Sequence, residues 1–295
     1  MEVRHLRYFV RAAEFLHFTR AAASLSISQP ALSLHIKQLE EEIGAQLFDR
    51  AVIHRRRIQL TEAGKVFLVH AQAALRAIDR GKQEVSEMAG IVSGHVSFGS
   101  NNIFVAKLAS HTIPAFVAQF PHVTVALRMA NQEDLEASIL SGGIDLALSW
   151  LPSESRSIKA EPLFTDELLL FVPQAHALTK RKSVAPSELS SLPIALPTIS
   201  TNIRRTIDSE LNSKGVSLNV KLEIDDTPAR LRFVEAGSGA TLAPASSKDD
   251  HYKVASVNIP ELSMRLTAGL LMRRSQQLSG STEAFAEAVR KSFRR

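Results

Sequence analysis

Cysteine is absent from the 295-residue sequence. Disulfides and thiolate chemistry are therefore excluded, and the absence fits a reducing compartment. Long apolar runs are missing too. The longest, Leu168 to Val172, falls far short of the roughly 18 residues that a membrane-spanning helix requires. The segment Met1 to Phe15 carries Glu2, Arg4, Arg7, Arg11 and Glu14 without a continuous apolar core, which is not the pattern of a signal peptide. A cytoplasmic protein with no membrane partner is the expectation. The ten histidines include no pair four apart and no His-x-His, an argument against a metal site. No Gly-x-Ser-x-Gly, P-loop or His-Glu-x-x-His is found. The sequence thus points to a chain with no cofactor and no catalytic residues, and not to an enzyme.

What is present suits ordinary folded domains. Hydrophobic residues make up 45% and charged residues 22%, so wholesale disorder is not expected. The length suggests two or three domains. A net charge of +5 is compatible with a nucleic-acid partner without requiring one. Glu40-Glu41-Glu42 reads as a solvated helix face. Asp225-Asp226 reads as the acidic lead-in to a helix, where negative charge is favourable.

Three regions differ in pattern. In the first, Leu6, Phe9, Val10 and Ala13 mark a helix that stops near His17. Thr19 is the expected cap of a second helix running to Leu25, and Ser28 of a third, with Pro30 in its first turn. Leu32, Ile36, Leu39 and Ile43 form the third helix's apolar stripe, and Gly44 ends it. The second region is one long helix with Phe67, Ala71, Ala74, Leu75, Ile78, Val85 and Met88 on a heptad-like face. Self-association would cover that face; packing on its own chain is the alternative. The third alternates strands and helices as an α/β domain does. Its strands are expected at 95–99, 123–128, 144–149, 158–163, 167–172, 193–196, 219–224, 240–243 and 266–272. Its helices are expected at 102–119, 132–140, 203–213, 227–236 and 280–293. Two βα repeats lie either side of a crossover near residue 160, with a return near 266, which makes two lobes and brings the last helix back to the first.

The segment Phe18 to Lys37 carries the chemistry. Two short helices meet at a turn, and the second opens with Ser28-Gln29-Pro30. A helix that enters the major groove by its N-terminal end needs small or hydrogen-bonding residues there. Gln29 can pair in bidentate fashion with adenine. Ser28 and the free N–H groups beside it can hold a phosphate. Lys37 can reach the backbone further along. Downstream, Arg55, Arg56 and Arg57 sit between two short strand-like segments, as at the basic tip of a wing.

These residues resemble the LysR-type transcriptional regulators. The match runs through Phe9, Ala12, Phe18, Thr19, Ala21, Ala22, Leu25, Ser28 to Ser33, Ile36, Leu39, Glu40, Gly44, Leu47, Phe48, Arg50, Leu60, Thr61 and Gly64. It continues weakly through Phe120-Pro121, Gly143 to Ala147 and Gly237-Ser238-Gly239. The resemblance implies a winged helix-turn-helix over 1–61 (helix-turn-helix 18–37), a linker and dimerisation helix over 62–90, and an effector-binding domain over 91–295. The last would be a two-lobed α/β sensor similar to type 2 periplasmic-binding proteins, with lobe I at 91–161 and 267–295 and lobe II at 162–266. It further implies a homotetramer that binds a promoter inverted repeat in double-stranded DNA, responds to a small co-inducer as an activator does, and touches RNA polymerase. Thr19, Arg20, Ser28, Gln29, Pro30, Ser33 and Lys37 would face DNA, with Arg50 and the wing arginines on its backbone. Nine residues separate Arg50 from Leu60, longer than the family's usual wing, so which of the three arginines touches DNA stays open.

Ligands of two-lobed α/β receptors lie at the carboxyl ends of strands and the starts of helices. Here those places hold Ser100, Asn101 and Asn102, then Asn131 and Gln132, then Ser149 and Trp150; across the crossover they hold Thr198, Ser200, Thr201, Asn202 and Thr227. Polar groups with few charges suit a small anionic metabolite, with Arg204 or Arg205 supplying a charge. The lesser alternative for Asn101 and Asn102 is as helix caps; Trp150 reads as ligand wall or core, and Phe104 as a second apolar wall.

Overall fold

The computed structural model describes residues 1–49, 58–88, 92–181, 183–248, 251–262 and 264–293. By internal contacts the chain forms two compact units, 1–94 with 140–143 and the remainder.

The first unit opens with α1 (Val3–Phe15), α2 (Phe18–Ser24) and α3 (Gln29–Ile43). The cap of α2 is His17, not Thr19: its extended backbone lets the imidazole accept from Arg20 N at 3.4 Å. The helix therefore starts two residues earlier than a cap at Thr19 would give. Ser28 caps α3, accepting from Ala31 N at 3.3 Å, and Gly44 closes it with φ +76°. Leu32, Ile36 and Leu39 are fully buried with Phe9, Ala21, Leu47 and Phe48. Phe9 lies 5.5 Å from Phe48 and 5.3 Å from Phe67, so one aromatic residue ties α1 to the segments that follow α3.

Strands β1 (Phe48–Asp49) and β2 (Gln59–Leu60) pair antiparallel, and α4 spans Glu62–Met88. Thr61 joins the two elements: its hydroxyl donates to Gln46 O at 2.7 Å and accepts from Gly64 N at 2.9 Å. A Cβ on Gly64 would stand 2.0 Å from Leu47 O, so only glycine lets α4 begin against β1. Ala71 is buried in the helix-turn-helix core, and Phe67, Leu68 and Leu75 pack on it. Part of the apolar stripe read as a self-association face, Phe67, Ala71 and Leu75, is thus packed inside its own chain. Val85 of that stripe is exposed, as are Val66 and Val69 of the same helix.

In the second unit, β3 (Gly94–Ser100), β4 (Val123–Met129), β5 (Leu146–Trp150) and β11 (Arg265–Arg273) form the sheet of one lobe, with β7 (Pro193–Leu196), β8 (Asn219–Glu223), β9 (Ala240–Pro244) and β10 (Val254–Val257) in the other. A single strand, β6 (Ile158–Pro173), serves both, where the sequence suggested two. It pairs with β11 as far as Glu167, then with β9 from Leu168 and with β10 from Leu170. The gap expected at 164–166 holds Thr165 and Asp166, which pair with Thr267 and Leu266 of β11 and so continue the strand. Pro162 cannot donate to the ladder, and the register shifts beside it, so that Ala268 faces Phe164 while Gly269 faces Pro162. A Cβ on Gly269 would lie 2.6 Å from Glu161 O, which is why the bulge is met by glycine.

Helices α5 (Asn102–Lys107) and α6 (Ile113–Gln119) replace the one helix expected at 102–119. A π turn over Leu108–Thr112 separates them. Pro114 supplies no N–H to the carbonyl of Ser110, and the helix widens just ahead of it. Helices α7 (Gln132–Leu140), α8 (Asn202–Ser213), α9 (Thr227–Glu235) and α10 (Gly280–Phe293) complete the layers. The last returns to the first lobe, where Phe285 meets Phe98 and Phe116 edge-on at 5.0 and 4.9 Å. Among the described residues no helix is long and apolar enough to cross a membrane.

Glu40 is a buried acceptor of the first unit. It accepts from Leu47 N at 2.9 Å and Phe48 N at 3.2 Å. Glu40→Ala leaves both N–H groups without that acceptor and should lower stability by about 1–3 kcal/mol, read from urea unfolding of the helix-turn-helix signal. An unchanged midpoint would show that these bonds carry no net weight.

Candidate functional site

The start of α3 presents Ser28, Gln29 and Pro30 to solvent, with Ser33 half-buried behind them. Gln29 Nε2 donates to Ser33 Oγ at 2.9 Å. That bond spans one helical turn and fixes the amide in one orientation before any partner arrives. Lys37 is exposed and pairs with Glu41 at 3.5 Å. Thr19 and Arg20 are exposed on α2, and the Arg20 guanidinium lies 5.6 Å above the Phe15 ring. One residue on this surface escaped the sequence reading. Leu34 is 56% exposed on α3, and its signal was present: it stands outside the stripe Leu32, Ile36, Leu39. Arg50, Arg55, Arg56 and Arg57 lie outside the described residues.

In the sensor, Ser100 and Ser149 are fully buried at the carboxyl ends of β3 and β5. Asn101 links them to the next strand: its Oδ1 accepts from Ser149 Oγ at 2.7 Å, and its Nδ2 donates to Ala130 O at 3.1 Å. Ser100 Oγ donates to Asn101 O at 3.0 Å. Asn131 Oδ1 accepts from Asp134 N at 2.8 Å, the bond of a helix cap. Across the crossover, Thr198 donates to Asp225 Oδ1 from both N and Oγ1, at 2.8 and 2.7 Å, and lies 3.1 Å from Ser200 Oγ. Thr201 caps α8. Trp150 is a core residue, buried with its ring 4.8 Å from that of Phe104.

Several of these groups meet across the lobes. Asn202 Nδ2 donates to Gln132 Oε1 at 2.5 Å and to Pro152 O at 3.1 Å, and Gln132 Nε2 donates to Pro152 O at 2.7 Å. Asn102 Nδ2 donates to Asp226 Oδ2 at 3.2 Å. Arg205 pairs with Glu154 at 2.8 Å. The lobes are therefore held together by a seam of short polar bonds.

Both arginines read as sources of a charge are ion-paired here. Arg204 bridges Asp208 at 2.9 Å and Glu223 at 2.5 Å, while Arg205 is committed to Glu154. A different arginine stands close by. Arg230 of α9 is completely buried, and burial pulls its guanidinium down to about 10 against the opposing fields of Asp225 and Asp226. It stays charged at neutral pH. Its signal was the stripe Thr227, Arg230, Leu231, Val234, where a helix face meant for the core carries a cation. Among the described residues no group of acidic and histidine side chains is placed to hold a metal ion.

Comparison with known proteins gives the family. Residues 3–65 match the family model described as bacterial regulatory helix-turn-helix protein, lysR family, and residues 89–294 match the LysR substrate binding domain. The transcriptional dual regulator GltC of Bacillus subtilis is 34% identical over 292 residues, which covers 98% of this chain and 96% of GltC. The transcriptional regulator AlsR of the same organism is 32% identical, covering 84% of this chain and 82% of its own. Among solved structures, full-length CbnR, described as a LysR family transcriptional regulator, superposes with a TM-score of 0.75 at 22% identity, covering all of both chains. CbnR with its target DNA gives 0.73 at 23% identity, covering 99% of this chain and 100% of that one.

The polar seam is testable by itself. Asn202→Ala removes two cross-lobe bonds and should cost the sensor about 1–2 kcal/mol of stability, with faster amide exchange at the start of α8 by mass spectrometry. Unaltered exchange there would mean that the seam does not hold the lobes.

Proposed function

The chain belongs to the LysR family of DNA-binding transcriptional regulators, and from that premise we propose that it reads a promoter inverted repeat through α3 and senses a small anionic metabolite between the lobes of its sensor. The observation that carries the DNA half is the Gln29–Ser33 bond on an otherwise exposed helix start. A preset amide suits the two-bond pattern of adenine in the major groove. Leu34, exposed on the same helix, offers an apolar contact for a thymine methyl. Pro30 and Ser33 lie toward the bases beside Gln29, while Ser28, the Gln29 N–H, Thr19, Arg20 and Lys37 serve as positioning contacts, with Arg50 and the wing arginines on phosphates. The effector half rests on Ser100, Asn101, Asn102, Gln132, Ser149, Thr198, Ser200, Asn202 and Thr227, with Asn131 and Thr201 as helix caps behind them.

Regulation of this kind needs paired heads. The exposed Val66, Val69 and Val85 of α4 support dimerisation through the linker helix, and further pairing gives a homotetramer. Ligand then shifts a two-state equilibrium that the heads and RNA polymerase read, in the cytoplasm where promoter DNA lies.

Footprinting of the purified protein upstream of its own gene tests the proposal as a whole. A protected inverted repeat, lost steeply as salt rises, is the expected result; no protection at low salt would reject it. Gln29→Ala should lose about 1–3 kcal/mol of base discrimination; equal weakening on specific and random DNA would remove Gln29 from base reading. Ser100→Ala should blunt the response to the active metabolite while sparing DNA binding, and an unshifted dose curve would take Ser100 out of the site.

A further inference from the structure

Helix α9 begins where the lobes touch. Asp226 caps it, with Oδ1 accepting from Ala229 N at 2.7 Å and Oδ2 from Asn102 of the other lobe at 3.2 Å. One turn on stands Arg230, the largest completely buried side chain among the described residues. Its guanidinium folds back to the helix start. Nη1 donates to Ile224 O at 2.7 Å and Nη2 to Thr227 Oγ1 at 2.9 Å, while the Nε–H has no partner.

Three costs coincide here. No carboxylate among the described residues lies within ion-pair distance of this buried cation, a condition that proteins ordinarily avoid. The charge sits at the positive end of the helix dipole rather than the negative one. A buried donor is left unmet. Asp225 and Asp226 are near enough to favour the charge, but both are exposed and both are engaged, Asp225 by Thr198 and Asp226 by Ala229 N and Asn102. If Arg230 served only to brace the start of α9, an apolar residue in line with Leu231 and Val234 would fill the space without these costs. An oxyanion would offset all three at once: it supplies the counter-charge, suits the helix N-terminus and accepts from Nε.

Resting on the reading of the cleft as the effector site, we infer that Arg230 is the counter-ion for a carboxylate of the effector, held at the N-terminus of α9. Arg230 is fully covered in this structure, so a carboxylate reaches it only when the start of α9 parts from α5. The Asn102–Asp226 bond is the contact that must break. Ligand entry and lobe displacement then become one event.

The test is thermal unfolding of the full-length protein in sodium succinate and in sodium chloride at matched ionic strength, for the wild type, Arg230→Met and Ser100→Ala. Succinate should raise the wild-type midpoint by about 2–4 °C over chloride. Arg230→Met should lose that rise, and its midpoint in chloride should not fall, because an unpaired buried charge has gone. Retention of the rise by Arg230→Met, or its absence from the wild type, overturns the assignment. A rise lost by Ser100→Ala but kept by Arg230→Met leaves the cleft standing and rejects Arg230; a rise kept by both rejects the cleft as well. Should Arg230→Met not fold, Arg230→Lys keeps the charge without the Nε donor and should show no more than half the rise; a full rise would overturn the assignment.

Discussion

The sensor hangs on one strand. Along β6 the hydrogen-bond partner changes from β11 to β9 between Glu167 and Leu168, so both lobes are built on a shared backbone and neither can be moved without bending it. Pairing of this kind fixes where the cleft must lie. The starts of α5, α7, α8 and α9 carry the side chains that meet across the lobes, Asn102 with Asp226 and Gln132 with Asn202. Buried apolar strands supply the rigidity: every residue of β5 and of β9 is buried. Polar chemistry is left to the strand ends, where side chains no longer have to satisfy a core.

Given that scaffold, closure of the lobes is a matter of a few bonds. Asn102, Gln132, Asn202 and the Arg205–Glu154 pair make the seam. Each contributes on the order of 1 kcal/mol net, and the exposed ion pair less. A sum of that size is comparable to the differential affinity a small ligand can supply, which is the condition for a population shift. Charge is distributed to match. The arginines on α8 are neutralised by their own carboxylates, whereas Arg230 on α9 is buried without a pair.

Local chemistry made the helix-turn-helix legible in the sequence. The Ser28 cap, Pro30 in the first turn, the Leu32, Ile36, Leu39 stripe and the Gly44 stop all act within a few residues, and all stand where the spacing puts them. Reading failed where the outcome depended on distant chain. One failure was local: His17, not Thr19, caps α2. The polar Thr165 and Asp166 fell in the gap expected at 164–166, and pairing with Thr267 and Leu266 of β11 carries β6 through it. Phe67, Ala71 and Leu75 turned inward because α1 and β1 were there to receive them. Burial of Arg230 could not be read from residue type, since arginine normally stays exposed. Only its place in an apolar stripe hinted at it. Strand β10 was missed altogether; it exists by pairing with β6, a contact between residues far apart in sequence.

Absence of cysteine makes the decisive measurement straightforward. Single cysteines placed at the exposed Glu133 and Lys214, one on each lobe, can carry spin labels without background labelling. Their separation should then be measured by pulsed dipolar spectroscopy, with and without the metabolite that alters the promoter footprint. A change in the distance distribution at the concentration that changes the footprint is the expected result. An identical distribution, with the footprint still responding, would contradict the idea that movement of the two lobes about β6 is what the ligand controls.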